Sequence, residues 1–331
     1  MSSASGVEFL YHKEVKILNT IANFSPSARS ALETLGEVTY SVPAQNELAQ
    51  ILADYDAALV GLGLRFDRAV LTGAKNLKVI ATATTGLDHL DLDYIRERGI
   101  EVLSLRDEDD FLNTITGTAE LAFGLIINLL RQINPAAAAV KRGEWERERW
   151  RGHSLAGKVL GVVGVGRLGR MMVRYGQAFE MRVLGCDPNV DVARLGATPA
   201  TLEELARASD IISLHLHLTA ETTNLFNQKI FEIMKPGAFL INTARGQIVN
   251  EADLLAALEQ KKLAGYAADV LADELQFDNA RVAGHPLIEY AKTHDNCLIV
   301  PHLGGMTHES RAATDLFISQ KLATYLAKNK T

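Results

Sequence analysis

Cysteine is nearly absent from this sequence: only Cys186 and Cys297 occur among 331 residues, each at or beside the end of an apolar run. Two isolated cysteines form no disulfide framework, and both read as buried free thiols of a protein in a reducing compartment, the cytoplasm. The opening residues, MSSASGVEFLYHKEV, lack the apolar core of a signal peptide. No uninterrupted apolar stretch approaches the roughly eighteen residues of a membrane span. The longest candidate, Leu121–Leu130, is broken by Gly124 and Asn128. Positive charge is also in deficit: 34 Lys and Arg face 40 Asp and Glu, a net charge of -6. That balance excludes bulk attraction to nucleic acid or to an anionic membrane. The basic residues that do cluster, Lys141, Arg142, Arg147, Arg149 and Arg151, alternate with Glu144, Glu146 and Glu148, and read as a solvated, ion-paired face. His285, His294 and His302 are too scattered for a metal site, so none is expected. There is no G-x-S-x-G nucleophile motif, internal repeat or low-complexity tract.

What is present has the balance of an ordinary globular protein, 47% hydrophobic and 22% charged, and its length implies two domains. The first fifteen or so residues read as a loose arm. Lys16–Ile21 then reads as a strand and Ser27–Leu35 as a short helix, capped at Ser25 ahead of Pro26. Apolar runs at Ala57–Leu62 and Leu77–Thr82, and a pattern ending at Ile100–Leu103, alternate with helical stretches, which predicts a parallel sheet. Arg106–Asp110 is a charged break and a candidate hinge. Thr118–Arg131, apolar nearly all round, predicts a buried helix, and a polar helical stretch follows to about Trp150. From Lys158 the βα alternation sharpens, with apolar runs at Val159–Val163, Arg182–Cys186, Ile211–Leu214, Phe239–Asn242, Gly265–Ala268 and Cys297–Val300. Asn250 is the expected N-cap of a helix over Glu251–Gln260, Asp273–Asp295 is expected to be irregular, and Thr307–Lys328 closes the chain as an amphipathic helix.

The motif with most chemistry is GVVGVGRLG, which sets Gly164, Gly166 and Gly169 in the spacing G-x-G-x-x-G between a strand-like run and a helical one. The first glycine permits a tight turn, the second a close approach of backbone to pyrophosphate, and the third close helix–strand packing. Asp187 ends the next strand-like run, where a carboxylate accepts ribose hydroxyls and repels a 2′-phosphate, favouring NAD. Other apolar runs also end in polar groups: His215, Arg245, Asp269 and His302. In an open parallel sheet these carboxyl ends converge on the ligand crevice. Oxidoreduction of a hydroxy acid with NAD needs a clasp for the carboxylate, a hydride acceptor and a proton acceptor. An arginine suits the first, and a histidine oriented by an acid suits the last. Arg245 in NTARG, His302 in PHLGG and Glu274 in ADVLADE are the candidates.

The order GVGRLG, Asp187, NTARG, DVLADE, PHLGG resembles the D-isomer-specific 2-hydroxyacid dehydrogenases, in particular their D-3-phosphoglycerate dehydrogenase branch. TTGLDHLDLD at 84–93 is similar to that family's substrate-domain loop and HLHLTAETTN at 215–224 to its cofactor loop. The resemblance runs from about Lys16 to the C-terminus. It implies two Rossmann-like, doubly wound α/β domains with a cleft between them. Residues 1–106 and 302–331 would form a discontinuous substrate-binding domain, and 107–301 the NAD-binding domain. The substrate would be a small D-2-hydroxy acid or its 2-keto acid, and the protein a homodimer built on the NAD-binding domain.

By the same resemblance, Arg245 would bind the substrate carboxylate and carbonyl region, His302 would be the acid/base, and Glu274 would orient it. Backbone N–H groups at Thr85 and Gly86 would meet the carboxylate, and Arg65 would face substrate. Beside Gly164, Gly166, Gly169 and Asp187, the cofactor would meet Arg167, Leu168, His215, Thr219, Ala244, Asp269 and Gly304, with Asp269 near the nicotinamide carboxamide. The sequence departs from the family pattern in three places. His217 replaces the Pro of the cofactor loop, Leu275 follows the orienting Glu where a Pro is common, and Gly63 stands where the first of two phosphate-reading arginines would precede Arg65. No C-terminal regulatory extension like that of many serine-pathway enzymes is expected. The alternative expectation is a non-catalytic NAD-sensing module like the corepressors that resemble this family.

Overall fold

Strand Ala57–Val60 and strand Val79–Thr82 are buried at every position, which requires a sheet covered on both faces. Both lie in the first of two units seen in the computed structural model, which describes residues 15–277, 282 and 284–329. The expected N-terminal arm lies outside these residues, apart from Val15, as does part of the expected irregular stretch after Asp273. One unit comprises Met1–Asp107 and Arg311–Thr331, the other Glu108–Ser310.

In the first unit β1 (Lys16–Asn19), α1 (Pro26–Glu33), β2 (Glu37–Tyr40), α2 (Leu48–Leu52), β3 (Ala57–Val60), α3 (Arg68–Thr72), β4 (Val79–Thr82), α4 (Leu92–Glu97) and β5 (Glu101–Leu103) alternate. The strands form one sheet, β2-β1-β3-β4-β5, and every pair is parallel. Strand periodicity divides the core. Ala58, Val60 and Ile80 pack on one face with Leu48, Leu71 and Ile95. Ala57, Leu59, Val79 and Ala81 pack on the other with Ala28 and Leu32 of α1, and with Ile318 and Leu322 of the closing helix His308–Lys328. Ser25 does sit at the N-cap of α1, ahead of Pro26, but its side chain makes no capping bond. Its backbone N–H instead donates to Asp315 Oδ2 at 3.1 Å, tying α1 to the closing helix. The half-exposed edge strand β2 has no counterpart in the sequence reading.

The second unit runs α5 (Asp109–Leu112), α6 (Gly117–Arg131), α7 (Ile133–Lys141), β6 (Val159–Val163), α8 (Arg167–Ala178), β7 (Arg182–Cys186), β8 (Thr198–Pro199), α9 (Leu202–Ala208), β9 (Ile211–Leu214), α10 (Gln228–Ile233), β10 (Ala238–Asn242), α11 (Glu251–Glu259), β11 (Leu263–Ala268), α12 (Pro286–Ala291) and β12 (Cys297–Ile299). Its seven strands order as β12-β11-β10-β9-β6-β7-β8, again all parallel. Asn250 caps α11 as expected, its side chain accepting from Asp253 N–H at 3.1 Å. Two expectations are corrected. The polar stretch to Trp150 is helical only through Lys141 and again in a short 3₁₀ turn over Glu148–Trp150. The stretch expected to be irregular contains α12, a six-residue helix started by Pro286 and anchored by buried Leu287.

Segment Asp109–Arg131 is long and apolar enough to cross a membrane by length and composition. Here Ala119, Ala122, Phe123, Leu125, Ile126 and Leu129 of α6 pack with Leu160 and Val162 of β6 and with Met171 and Met172 of α8. The grouping of the chain returns to the first unit at Arg311, beyond the expected residue 302. The reason is local: the backbone N–H groups of Leu303 and Gly304 are held by the Asp269 carboxylate, which keeps this segment with β11. Both cysteines carry free thiols, and burial pushes the Cys297 thiol up to about 12.

Candidate active site

Hydrogen-bonded pairing in the second unit overruns the strand ends, and this overrun sets the site. Gly164 N–H donates to Cys186 O at 2.9 Å, His215 N–H to Val163 O at 2.8 Å, Asp269 N–H to Asn242 O at 2.9 Å and His302 N–H to Asp269 O at 2.9 Å. Gly164 after β6 and the polar residues that follow β9, β11 and β12 are thereby pinned along one carboxyl edge. The chain leaves β6 for β7 on one side and later returns to β9 on the other, so the winding reverses between β6 and β9. A ligand crevice opens at such a reversal.

The three glycines differ in what they do there. Gly164 has φ +84°, and a Cβ on it would lie 2.4 Å from His215 O; a Cβ on Gly169 would lie 2.0 Å from Gly164 O. Both permit close backbone packing. A Cβ on Gly166 would meet nothing within 4 Å, so its open side is the space a pyrophosphate would fill. No side chain caps the start of α8 at Gly166, leaving its first amides for an anion. Asp187 Oδ2 accepts from Val165 N–H at 2.7 Å and Oδ1 from Asn189 N–H at 2.8 Å. A carboxylate offers about four acceptor positions, so both oxygens can also take ribose hydroxyls. Open space, uncapped amides and a placed carboxylate together fit a dinucleotide.

The other expected cofactor residues occupy varied settings. Arg167 is turned to its own chain, with Nη1 donating to Leu112 O at 2.9 Å and Ile115 O at 2.6 Å. Its guanidinium therefore pins the segment ahead of α6, and burial draws its pKa down. Leu168 is partly buried against the core beneath the helix start. His215 Nε2 bonds Ser213 Oγ at 2.8 Å, and burial lowers its pKa to about 4. In the loop after it Thr219 N–H donates to Thr222 Oγ1 at 2.8 Å, and Thr222 Oγ1 donates to His217 O at 2.7 Å. Threonine hydroxyls thus brace the loop where a family proline is replaced.

Asn242, which the sequence reading passed over, holds the next turn. Its Oδ1 accepts from Ala244 N–H at 3.0 Å and its Nδ2 donates to Arg245 O at 2.9 Å. Its amide is wholly buried at the end of β10, a burial that the sequence does not mark. Arg245 itself is half-buried, and its Nη1 donates to Ala244 O at 2.7 Å. Asp269 is 2% exposed, and its two oxygens accept from Leu303 and Gly304 N–H. Burial raises its pKa, against those two donors and the His302 charge. Gly304 is dictated by this contact: a Cβ there would lie 3.0 Å from both Asp269 Oδ2 and the Thr118 side chain.

His302 Nδ1 meets Glu274 Oε1 at 2.8 Å. Burial works to lower the His302 pKa, but the hydrogen bond and charge of Glu274, with the charge of Asp269, outweigh it and the net shift is upward. The charge of Arg245 opposes that rise, so all three expected catalytic residues act on one imidazole. His302 takes φ +52°, in the left-handed region that is uncommon for any residue but Gly, although Asn, Asp and His enter it more often than the rest. In the first unit the amides of Thr85 and Gly86 donate to no other group among the described residues, while Gly86 O accepts from Thr84 Oγ1 at 2.7 Å. Arg65 is exposed, and its backbone N–H and C=O are both held by the Gln45 amide at 2.8 and 2.9 Å. Among the described residues no group of three or more His, Cys, Asp or Glu could hold a metal ion.

Residues 123–304 match the model of the family described as "D-isomer specific 2-hydroxyacid dehydrogenase, NAD binding domain". The chain is 34% identical over 317 residues to the D-3-phosphoglycerate dehydrogenase of Methanocaldococcus jannaschii, covering 94% of this chain and 57% of that one. It is 35% identical over 277 residues to the Bacillus subtilis D-3-phosphoglycerate dehydrogenase, covering 83% of this chain and 50% of that one. The chain thus spans about half the length of the curated relatives it matches. Among solved structures, the TT0316 protein of Thermus thermophilus is 31% identical with a TM-score of 0.83, covering 95% of this chain and 97% of that one. The D-lactate dehydrogenase of Aquifex aeolicus, complexed with NAD and lactic acid, is 27% identical with a TM-score of 0.83, covering 95% and 96%. With its parallel sheets, glycine turn and Glu274–His302 pair, the chain belongs to the D-isomer specific 2-hydroxyacid dehydrogenase family, in its D-3-phosphoglycerate dehydrogenase-like branch.

Proposed function

We propose that the protein is an NAD-dependent oxidoreductase interconverting a small D-2-hydroxy acid and its 2-keto acid. The observation that carries this reading is His302, held at Nδ1 by Glu274 with its pKa raised. Nδ1 is engaged, so Nε2 is the atom that gives a proton to the keto oxygen in reduction and takes it back in oxidation. Glu274 keeps the imidazole oriented and favours its charged form. Arg245 lends a fixed positive charge to the substrate carboxylate and the carbonyl oxygen. The amides of Thr85 and Gly86 serve the carboxylate, and Arg65 the distal part of the substrate. The amides at the start of α8, the open side of Gly166 and the Asp187 carboxylate would hold the dinucleotide, along with the Thr219 loop, Ala244 and the Asp269–Gly304 contact. NADH, when bound, supplies the hydride.

The reading includes a homodimer built on the Glu108–Ser310 unit. In its support, Ile133 and Val140 of α7 are 48% and 50% exposed and Trp145 83%, an apolar surface on a unit whose other large apolar side chains are mostly covered. The proposed compartment is the cytoplasm, in keeping with two free thiols. The test is NADH oxidation with glyoxylate, hydroxypyruvate, pyruvate, phosphohydroxypyruvate and bulkier keto acids. Turnover that is lost in Arg245→Ala and His302→Asn is the expected result. Intact NADH binding with no turnover on any of them would overturn the catalytic reading.

A further inference from the structure

A second His–Glu pair lies in the same unit and has no part in the proton transfer just described. Glu251, the first residue of α11, meets His285 Nε2 through Oε2 at 3.1 Å, and both side chains are largely buried. Its other oxygen, Oε1, accepts from the backbone N–H of Ala272 at 2.9 Å. The carbonyl of the same residue accepts from Gln247 Nε2 at 2.6 Å. Ala272 is thus gripped on both sides by residues that lie two and six positions after Arg245. The two segments also touch: a Cβ on Gly246 would lie 2.0 Å from the Leu271 carbonyl carbon and 2.2 Å from Ala272 N.

The gripped loop carries Glu274. Within it Glu274 Oε2 accepts from Leu271 N–H at 3.3 Å, and Glu274 N–H donates to Leu271 O at 3.3 Å. The carboxylate that meets His302 is therefore built on a turn whose centre is clamped by Glu251 and Gln247. The groups that face Glu251 are His285, the Ala272 amide and the Asp273 charge.

Resting on the reading of His302 as acid/base, we infer that Glu251 and Gln247 are positioning residues. By holding Ala272 they fix Glu274 against His302 Nδ1 and keep the Glu274 turn in register with the Arg245 turn. A carboxylate two residues along a loop is a poor orienting group unless that loop is fixed, because the bond it makes depends on sub-ångström placement. His285 anchors the far side of Glu251, so that one oxygen stays directed at the Ala272 amide.

The test reads the His302 imidazole by NMR titration of the full chain without cofactor or substrate, beside steady-state reduction of whichever keto acid the wild type turns over. Glu251→Ala should lower the His302 midpoint and reduce kcat about tenfold, the scale of one lost charge-assisted hydrogen bond, with KM for NADH unchanged. Glu251→Gln removes the same charge but keeps an oxygen for the Ala272 amide, and should restore both readouts. Gln247→Met, which deletes only the donor to the Ala272 carbonyl, should shift both in the direction of Glu251→Ala and serves if that variant does not fold. A wild-type His302 midpoint in Glu251→Ala, or in Gln247→Met where the former is unfolded, overturns the inference. So does a Glu251→Gln midpoint as low as that of Glu251→Ala. Absence of turnover in the wild type would count against the proposed function instead, and the titration would still decide the clamp.

Discussion

His302 combines three demands on one residue: a left-handed backbone, a bond to Glu274 and, in the proposed reaction, a ring that exchanges protons. His302→Asn tolerates that backbone, so it should fold normally and lose kcat by roughly 100-fold or more, the range of a deleted acid/base. Arg245→Ala should lower kcat/KM for the keto acid by roughly 100-fold, as when a preorganised donor to a developing oxyanion is removed. The pH dependence follows from the sign of the shift. In the proposed reaction reduction draws on protonated His302, so kcat/KM for the keto acid should fall as pH rises through its raised pKa. Glu274→Gln removes the chief cause of the rise, and the same limb should move to lower pH. The pairing also links to stability. A histidine raised in the folded state contributes fully below its unfolded pKa near 6.5, and the contribution is lost as pH rises through the folded value. His215 has the opposite sign. With its folded pKa depressed to about 4, its neutral ring suits the fold above the unfolded value, and stability is lost as acidification charges it. Urea titrations of His215→Asn against wild type between those limits should show the variant losing less.

At the level of elements, the glycine turn separates folding from binding. Gly169→Ala pushes a methyl into Gly164 O and should destabilise the fold by about 1–3 kcal/mol, read as a lower Tm. Gly166→Val places its side chain in open space, and should keep Tm close to wild type while NADH affinity, measured by fluorescence titration, drops at least tenfold. Equal losses of Tm in the two variants would contradict this division. The contrast also explains what was legible in advance. Strands such as β3, β4 and β6 are buried on both faces, so their apolar runs carry their own signature. β2 and β8 are exposed edge strands, formed because a neighbour's backbone is waiting, and EVTY or TP alone reveals nothing of it. α12 is held by Pro286 and buried Leu287, too short for periodicity to register. In the site, Gly164, Asp187, Glu274 and His302 were readable because motif order marks them. The Asn242 clamp, the Ala272 grip and the ties of Arg167 to Leu112 and Ile115 were not. Those bonds reach backbone groups, in the last case more than fifty residues away, and a backbone partner leaves no letter in the sequence.

For the whole molecule, each unit has its own core: among the described residues, every buried hydrophobic cluster draws its side chains from a single unit. The Glu108–Ser310 unit is a continuous stretch of chain, whereas the other needs both chain ends. Residues 108–310 expressed alone should therefore fold and bind NADH. Truncation before His308 strips Ile318 and Leu322 from the face they share with Leu59 and Ala81, and should unfold the first unit. In calorimetry NADH should raise the transition of the second unit by mass action. Ile133→Asp with Val140→Asp should convert the proposed homodimer to a monomer by light scattering, without loss of secondary structure.

Asp187 carries a consequence for how coenzyme choice can change. Its carboxylate, proposed above to meet the ribose, also fastens Val165 inside the glycine turn. A substitution that welcomes a 2′-phosphate should therefore also loosen the turn proposed to hold the dinucleotide. Selection for NADP would first meet variants that are poor with both coenzymes. Passage between the two preferences should require a paired change that gives the Val165 amide a new acceptor, a valley crossed in two steps and not a slope climbed in one.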